Sequence, residues 1–306
     1  MNGPMAPDRR FPNPAPVLVL GASSLVGPFL VERLTDAGRT GICTGRRSDS
    51  GETPLPPAFQ WRRLDVTDPG DWAAEPGAAV LSLLPLWLLP ALLPRLSRAG
   101  QIVALGSTSV LVKSDSADPA ERDLARRLGE AESEIVAFCG SAGLRWTILR
   151  PTLIHDGRRD ANVTAIARII RRFGFFPVGA PASGLRQPIH ADDVAAAMLA
   201  ALDNDRAAGK SINLPGGETL TYREMVRRIF VSLDRPVRIV PLPVPVLAAG
   251  IGLVRRVTGV EYSPALFARM NQDLSFDDSE AVRCLGYAAR PFRPSFPPLR
   301  PAPPTD

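Results

Sequence analysis

The sequence predicts an α/β fold, a doubly wound parallel sheet with a smaller C-terminal α+β lobe. Three observations carry that prediction. Short apolar runs alternate with helix-patterned stretches through the first half of the 306 residues. Most of these runs are solidly apolar rather than alternating, as strands buried on both faces are. The first run, Val17–Leu20, also enters a glycine turn, Gly21-Ala22-Ser23-Ser24-Leu25-Val26-Gly27, that opens directly into an apolar helix pattern.

The predicted strands are Val17–Leu20, Gly41–Thr44, Gln60–Leu64, Ala79–Leu84, Gln101–Leu105 and Arg145–Leu149. The helix after the turn carries Val26, Leu30, Val31 and Leu34 and stops at Gly38. Ala78–Leu96 is apolar enough to raise the question of a membrane span, but Pro85, Pro90 and Pro94 argue for a buried strand leading into a proline-started helix. A long helix over Pro119–Cys139 puts Leu124, Leu128, Ala131, Ile135 and Phe138 on one stripe. After Pro151 the rhythm changes. Helices are expected over Asn162–Phe173, Asp192–Leu202, Arg223–Leu233 behind a Thr221/Glu224 capping box, Val246–Val257, Pro264–Met270 and Ser279–Leu285, with short strands at Ser211–Leu214 and Val237–Val240. The expected division is a flexible tail over 1–15, a dinucleotide-binding (Rossmann) domain over 16–155 completed by later segments, a substrate or lid lobe over 156–292, and a proline-rich tail over 293–306.

With 45% apolar and 22% charged residues, the composition is that of a soluble globular protein. Net charge is +5, and lysine occurs only at Lys113 and Lys210, so arginine carries nearly all the positive charge. General arginine bias or anion recognition would each produce this. The basic residues are spread out without interleaved aromatics, which argues against nucleic-acid binding. The basic, apolar stretch Ile166–Phe176 reads as lobe packing or a lid rather than a membrane contact. Cys43, Cys139 and Cys284 are few and widely spaced, as in a reducing cytoplasm. His155 and His190 are the only histidines, so a zinc site of the usual kind is not expected. A homodimer is one option for the oligomeric state, which the sequence leaves open.

In the turn, Gly21 supplies a residue without Cβ, Gly27 allows close helix packing, and amides near Ser23, Ser24, Leu25 and Val26 face a pyrophosphate. Ser24 stands where a third glycine normally sits. The second strand ends in Thr44-Gly45-Arg46-Arg47, with no acid to bind the ribose 2′-hydroxyl of NAD, so Arg46 and Arg47 favour the 2′-phosphate of NADP. A solvated loop with two arginines is the plain alternative. Asp65-Val66 follows the third strand, where an aspartate can accept from an adenine amino group or simply form an Asx turn. Leu84, which closes the predicted fourth strand, is a further cofactor-binding candidate.

Together with Gly106-Ser107-Thr108-Ser109-Val110, Leu149-Arg150-Pro151, Arg186-Gln187-Pro188-Ile189-His190-Ala191-Asp192-Asp193-Val194 and Leu285-Gly286-Tyr287, these motifs resemble the extended or atypical short-chain dehydrogenase/reductase (SDR) superfamily, in its NAD-dependent epimerase/dehydratase branch. The resemblance runs from about Val17 to Pro291. It implies that Ser107 bonds the reacting oxygen, that Arg150 holds the loop beside the cofactor, and that Arg186 meets the diphosphate of a nucleotide sugar. His155 follows the nicotinamide-side loop as a substrate candidate, and His190 and Asp193 join the lobes.

One departure is large. The superfamily's general acid/base is a tyrosine with a lysine four residues later, but tyrosine occurs here only at Tyr222, Tyr262 and Tyr287. One register puts Leu124 and Leu128 in those places, the other Arg126 and Glu130, and the second pair suits a helix-surface ion pair better than catalysis. Lys113 is the leading substitute acid, since a partly buried lysine can titrate nearer neutrality; an exposed loop lysine is the alternative, and Asp115 and Glu121 are weaker candidates. Two functions stay open. One is an NADP-dependent reductase, epimerase or dehydratase acting on a nucleotide sugar or similar polar carbonyl compound. The other is a non-catalytic NADP(H)-binding protein, like the accessory subunit of respiratory complex I or NmrA-like redox sensors.

Overall fold

Seven parallel strands form one sheet in the order β11-β6-β5-β4-β1-β2-β3. In the computed structural model, which describes residues 15–47, 54–244 and 269–297, these are β1 (Val17–Leu20), β2 (Gly41–Gly45), β3 (Phe59–Arg63), β4 (Ala79–Ser82), β5 (Gln101–Leu105), β6 (Arg145–Pro151) and β11 (Lys210–Leu214). β1, β4 and β5 are buried along their whole length, because helices cover both faces of the sheet. The strand order reverses beside β1: the chain goes outward to β2 and β3, then returns to β4 on the other side. Such a switch point opens a crevice at the carboxyl ends of β1 and β4.

Two apolar layers sandwich the sheet. On one face, helix α1 (Gly27–Asp36) packs through Leu30, Val31 and Leu34 beside helix α5 (Ala191–Asp203). On the other, helix α3 (Pro119–Ala142) packs through Leu128, Ala131 and Ile135. Its buried stripe is turned slightly from the expected one. Glu121 and Glu132 are buried, while Leu124 and Phe138 are only half-buried, because both carboxylates have cationic partners inside.

The segment after β4 departs from the expected proline-started α-helix. Leu86–Leu88 and Pro90–Leu96 are tight 3-10 turns. Pro90 and Pro94 have no N–H to give an α-helical ladder, yet Leu86, Leu89, Leu92, Leu93 and Leu96 are all buried. No helix among the described residues is long and apolar enough to cross a membrane.

The later half divides in space rather than in chain order. Strand β11, helix α5 and helix α7 (Ser279–Leu285) return to the main sheet, where Ile212, Leu214, Val194, Met198 and Leu285 join the α1 layer. Gly286 ends α7 in the left-handed region at φ 61°. A separate apolar cluster forms the second lobe from helix α4 (Val163–Phe173), helix α6 (Tyr222–Ser232) and Phe292. Thr221 caps α6 by accepting from the Glu224 N–H at 3.1 Å. Three short pairings lie outside the main sheet: β7 (Ile154–His155) with β10 (Ile189–His190), β8 (Phe176–Gly179) with β13 (Ile239–Leu242), and β9 (Leu185–Arg186) with β12 (Leu220–Thr221). The expected helix Val246–Val257 and most of Pro264–Met270 lie outside the described residues, as do most of both tails.

Candidate functional site

The crevice floor is the glycine turn. Gly21 has φ +76°, and a Cβ there would crowd the Leu84 side chain at 3.1 Å. A Cβ on Gly27 would lie 1.8 Å from the Ala22 carbonyl oxygen. Gly27 therefore lets the helix press on the turn itself, a closer contact than the helix–sheet packing expected of it. The Ala22 N–H donates to the Thr44 carbonyl at 2.8 Å and fixes the turn on β2, while the Ser24 N–H closes back on Gly21 at 2.9 Å. Pro28, in the first turn of α1, has no N–H to offer a ligand. The Ser24 hydroxyl oxygen is buried with no hydrogen-bond partner. Such an atom is costly unless something fills the position beside it. A glycine-lined turn with an orphaned hydroxyl fits a dinucleotide pyrophosphate.

The outer rim of the crevice is basic. Arg46 and Arg47 are exposed at the end of β2. Arg63 stands beside them, because β3 pairs Arg63 with Gly45. Asp65 accepts from the Thr67 N–H at 3.0 Å and from the Thr67 hydroxyl at 2.7 Å, an Asx-type turn that holds its carboxyl below the usual range, helped by the nearby Arg46 and Arg63 charges. Val66 is half-buried behind it. Sequence reasoning missed Trp61. Its ring lies where a Cβ on Gly45 would meet it at 2.7 Å, with Ser23 Oγ at 3.2 Å, and its indole N–H donates to the Arg47 carbonyl at 3.1 Å.

The inner end is made differently. Ser107 follows β5, and its Oγ accepts from the Ser109 N–H at 3.1 Å at the start of the short helix α2 (Ser109–Val112). Its own proton is left to donate. Lys113 closes that helix and is half-buried, not the exposed loop lysine of the alternative reading. Its ammonium lies 3.4 Å from the buried Glu121 carboxylate, which also bonds Arg269 and the Ser116 hydroxyl. Burial, with Arg269 alongside, holds the Lys113 ammonium below its usual range. Asp115 is exposed. On α3 neither register supplies an acid/base pair. Leu128 is buried and Leu124 half-buried, while Arg126 makes exposed ion pairs with Glu130 at 2.7 Å and Asp123 at 2.5 Å. Arg150 grips Glu132 with both arms of its guanidinium, which ties β6 to α3.

From the second lobe, Arg186 is 5% exposed and donates to the Leu185 and Gln272 carbonyls, both at 2.7 Å, and to that of Arg269. Burial lowers its guanidinium to about 10. Its donors organise the 269–272 segment. His155 is buried edge-on between His190 (5.3 Å) and Phe292 (5.0 Å), its Nδ1 has no partner, and burial lowers it to about 4. His190 caps α5 by accepting from the Asp192 N–H at 3.1 Å. Asp193 accepts from the Arg290 Nε at 2.8 Å, while Arg33 of α1 holds Asp192 at 2.6 Å. The turn also has a visitor that sequence reasoning missed. Arg159 reaches across the crevice and donates to the Ser24 carbonyl at 3.3 Å. The only signal in the sequence was Asp156-Gly157-Arg158-Arg159-Asp160, a tight-loop composition.

No family model matches the sequence. Several characterised proteins are similar to it, three of them as follows. UDP-glucose 4-epimerase of Vibrio cholerae is 24% identical over 43% of this chain and 40% of its own length. NADH dehydrogenase (ubiquinone) 1 alpha subcomplex subunit 9 of Arabidopsis thaliana mitochondria is 32% identical over 34% of this chain and 26% of its own length. The 2'-dehydrokanamycin reductase of Streptomyces kanamyceticus is 26% identical over 74% of this chain and 69% of its own length. The first two matches thus span less than half of those relatives. Among solved structures, UDP-glucose 4-epimerase from Thermotoga maritima with UDP-glucose superposes at TM-score 0.67 and 14% identity, covering 90% of this chain and 93% of its own. UDP-glucuronic acid 4-epimerase from Bacillus cereus with NAD superposes at TM-score 0.68 and 14% identity, covering 90% and 92%. The sheet order and these superpositions show the Rossmann-like α/β fold of the epimerase structures, and the sequence is similar to an epimerase and a reductase.

Proposed function

We propose that this chain binds NADP(H) in the crevice above β1 and acts as an oxidoreductase, epimerase or dehydratase on a nucleotide sugar or similar polar carbonyl compound. The observation that carries the cofactor reading is the end of β2. Arg46, Arg47 and the paired Arg63 stand there, with no carboxylate on the β2 side among the described residues to bind a ribose 2′-hydroxyl. Neighbours of the same fold are solved with NAD and with UDP-sugars, which supports a nicotinamide dinucleotide and a nucleotide-sugar class of substrate. The turn from Gly21 to Gly27, Leu84, Asp65 and Val66 would hold the pyrophosphate and adenine. Arg186 and His155 are proposed on the substrate side, Arg186 by shaping the 269–272 wall.

When bound, the nicotinamide supplies or removes a hydride at the substrate carbon. The chain's own contribution is orientation and proton supply. Ser107 Oγ donates a hydrogen bond to the substrate oxygen while the Ser109 N–H steadies it. Lys113 Nζ is the proposed proton donor to that oxygen, with Glu121 holding the ammonium in place. A surrogate acid in place of the tyrosine predicts slow turnover, since a well-placed general acid is worth about 10²–10⁴ in rate. Lys113→Met is expected to reduce turnover of a UDP-sugar by at least about tenfold, and full activity in that variant would remove Lys113 from the mechanism.

The non-catalytic reading is favoured by one observation. Both candidate dyad positions on α3 are filled by inert or ion-paired side chains in either register. It predicts tight NADPH binding with no oxidation by any UDP-sugar. Titration of reduced-nicotinamide fluorescence separates the cofactor claims. The wild type should prefer NADPH over NADH, and Arg46→Ala/Arg47→Ala should lose that preference by roughly 10- to 100-fold. Equal affinities, unchanged in the variant, would overturn the NADP assignment.

A further inference from the structure

We infer that Arg159 is a pyrophosphate clamp, delivered to the glycine turn by the loop that begins the second lobe. The inference rests on the dinucleotide reading above and adds a charged ligand that the turn itself lacks. Arg159 lies 135 residues from Ser24 in sequence, yet its Nη2 donates to the Ser24 carbonyl at 3.3 Å. That carbonyl already receives the Gly27 N–H at 3.2 Å. A guanidinium has five donors, and this contact uses one.

The loop holds Arg159 there by construction. Asp156 Oδ1 accepts from the N–H groups of Arg158 (2.7 Å), Arg159 (2.8 Å) and Asp160 (3.3 Å), so the backbone is wrapped around one carboxylate oxygen. Asp160 is buried and accepts from the Thr164 N–H at 2.9 Å at the head of α4. Gly157 has φ +71°, and a Cβ there would lie 1.9 Å from the Ser295 carbonyl, so the chain passing behind leaves the loop no room to retreat. The Arg159 side chain itself is 53% exposed, and its nearest carboxylate, Asp156, is 3.9 Å from Nε. Its position owes nothing to core packing.

The turn has a matching need. Three features reduce its own capacity for an anion. Ser24 replaces a glycine, Pro28 removes an amide from the first helical turn, and the Ser24 and Gly27 N–H groups are bonded within the turn. The Ser24 hydroxyl is buried and unpartnered beside the carbonyl that Arg159 touches. A diphosphate in the crevice would accept from that hydroxyl and from the guanidinium fork, satisfying the one and neutralised by the other. Because the arginine comes from the second lobe, the diphosphate also bridges the lobes.

The test uses the full chain and two ligands that differ at the diphosphate. ADP-ribose contains it, and adenosine 2′-monophosphate does not. In Arg159→Met, the dissociation constant for ADP-ribose should rise roughly 10- to 100-fold, with that for adenosine 2′-monophosphate and the melting temperature unchanged. Arg159→Lys, which keeps the charge without the fork, should fall between. Unchanged ADP-ribose binding in Arg159→Met overturns the clamp, and so does an equal loss for both ligands. A wild-type chain that binds neither ligand would instead overturn the dinucleotide reading on which the clamp stands.

Discussion

The two ends of the crevice are built on different principles. The glycine-turn end is shaped largely by backbone: a Cβ on Gly27 would strike the Ala22 carbonyl oxygen at 1.8 Å, and one on Gly21 would press on Leu84, side chain and main chain, at 3.1–3.2 Å. The end beside Ser107 is made of charged side chains that are already paired, Lys113 with Glu121 and Arg150 with Glu132. A backbone-shaped site tolerates little change, because no rotamer can relieve a clash with a carbonyl. A side-chain site can be rewritten residue by residue while the fold stays intact. A chain can therefore keep a glycine-shaped turn while its α3 face carries Leu124, Leu128 and the Arg126–Glu130 pair.

Substitutions at each end should fail in different ways. Arg150→Met leaves Glu132 buried without its cation and should cost about 3–5 kcal/mol in a urea melt. Glu132→Gln in the same background should recover part of that loss, since the buried charge is gone. Gly27→Ala forces a Cβ against the Ala22 carbonyl and should cost about 3 kcal/mol, with no second-site change of charge able to restore it. Rescue in the first case and none in the second is the signature of the difference.

His155 sharpens it further. Its folded pKa of about 4 lies below the unfolded value of about 6.5, so the unfolded chain binds a proton that the folded chain refuses. Its contribution is fully present above the unfolded value and is lost as pH falls from about 6.5 toward 4, by up to about 3 kcal/mol. In His155→Phe that part of the pH dependence should vanish, measured as melting temperature against pH. The smallest effect is expected at Lys113. Lys113→Met leaves Glu121 with Arg269 and Ser116 as partners and should destabilise by only about 1–2 kcal/mol.

Much of this was legible beforehand, for physical reasons. β1, β5 and α7 have the bounds that apolar runs and glycine stops indicate. The Thr221 cap and the Arg126–Glu130 surface pair follow from local spacing alone. What escaped was non-local. Whether Lys210–Leu214 belongs to a lobe or to the main sheet depends on which strand edge is open, and β6 offers one 63 residues away. Arg159 looked like one of many surface arginines until the fold placed it against Ser24. Trp61 reads as an ordinary strand residue until Gly45 leaves room for its ring. The 3-10 turns after β4 were hidden because leucine periodicity and proline spacing pull in opposite directions there.

The central claim, a preserved dinucleotide end, is tested most directly by titrating the wild-type protein with NADPH and following reduced-nicotinamide fluorescence. A saturable enhancement at one NADPH per chain is the predicted result. No saturable signal up to millimolar NADPH or NADH would contradict it.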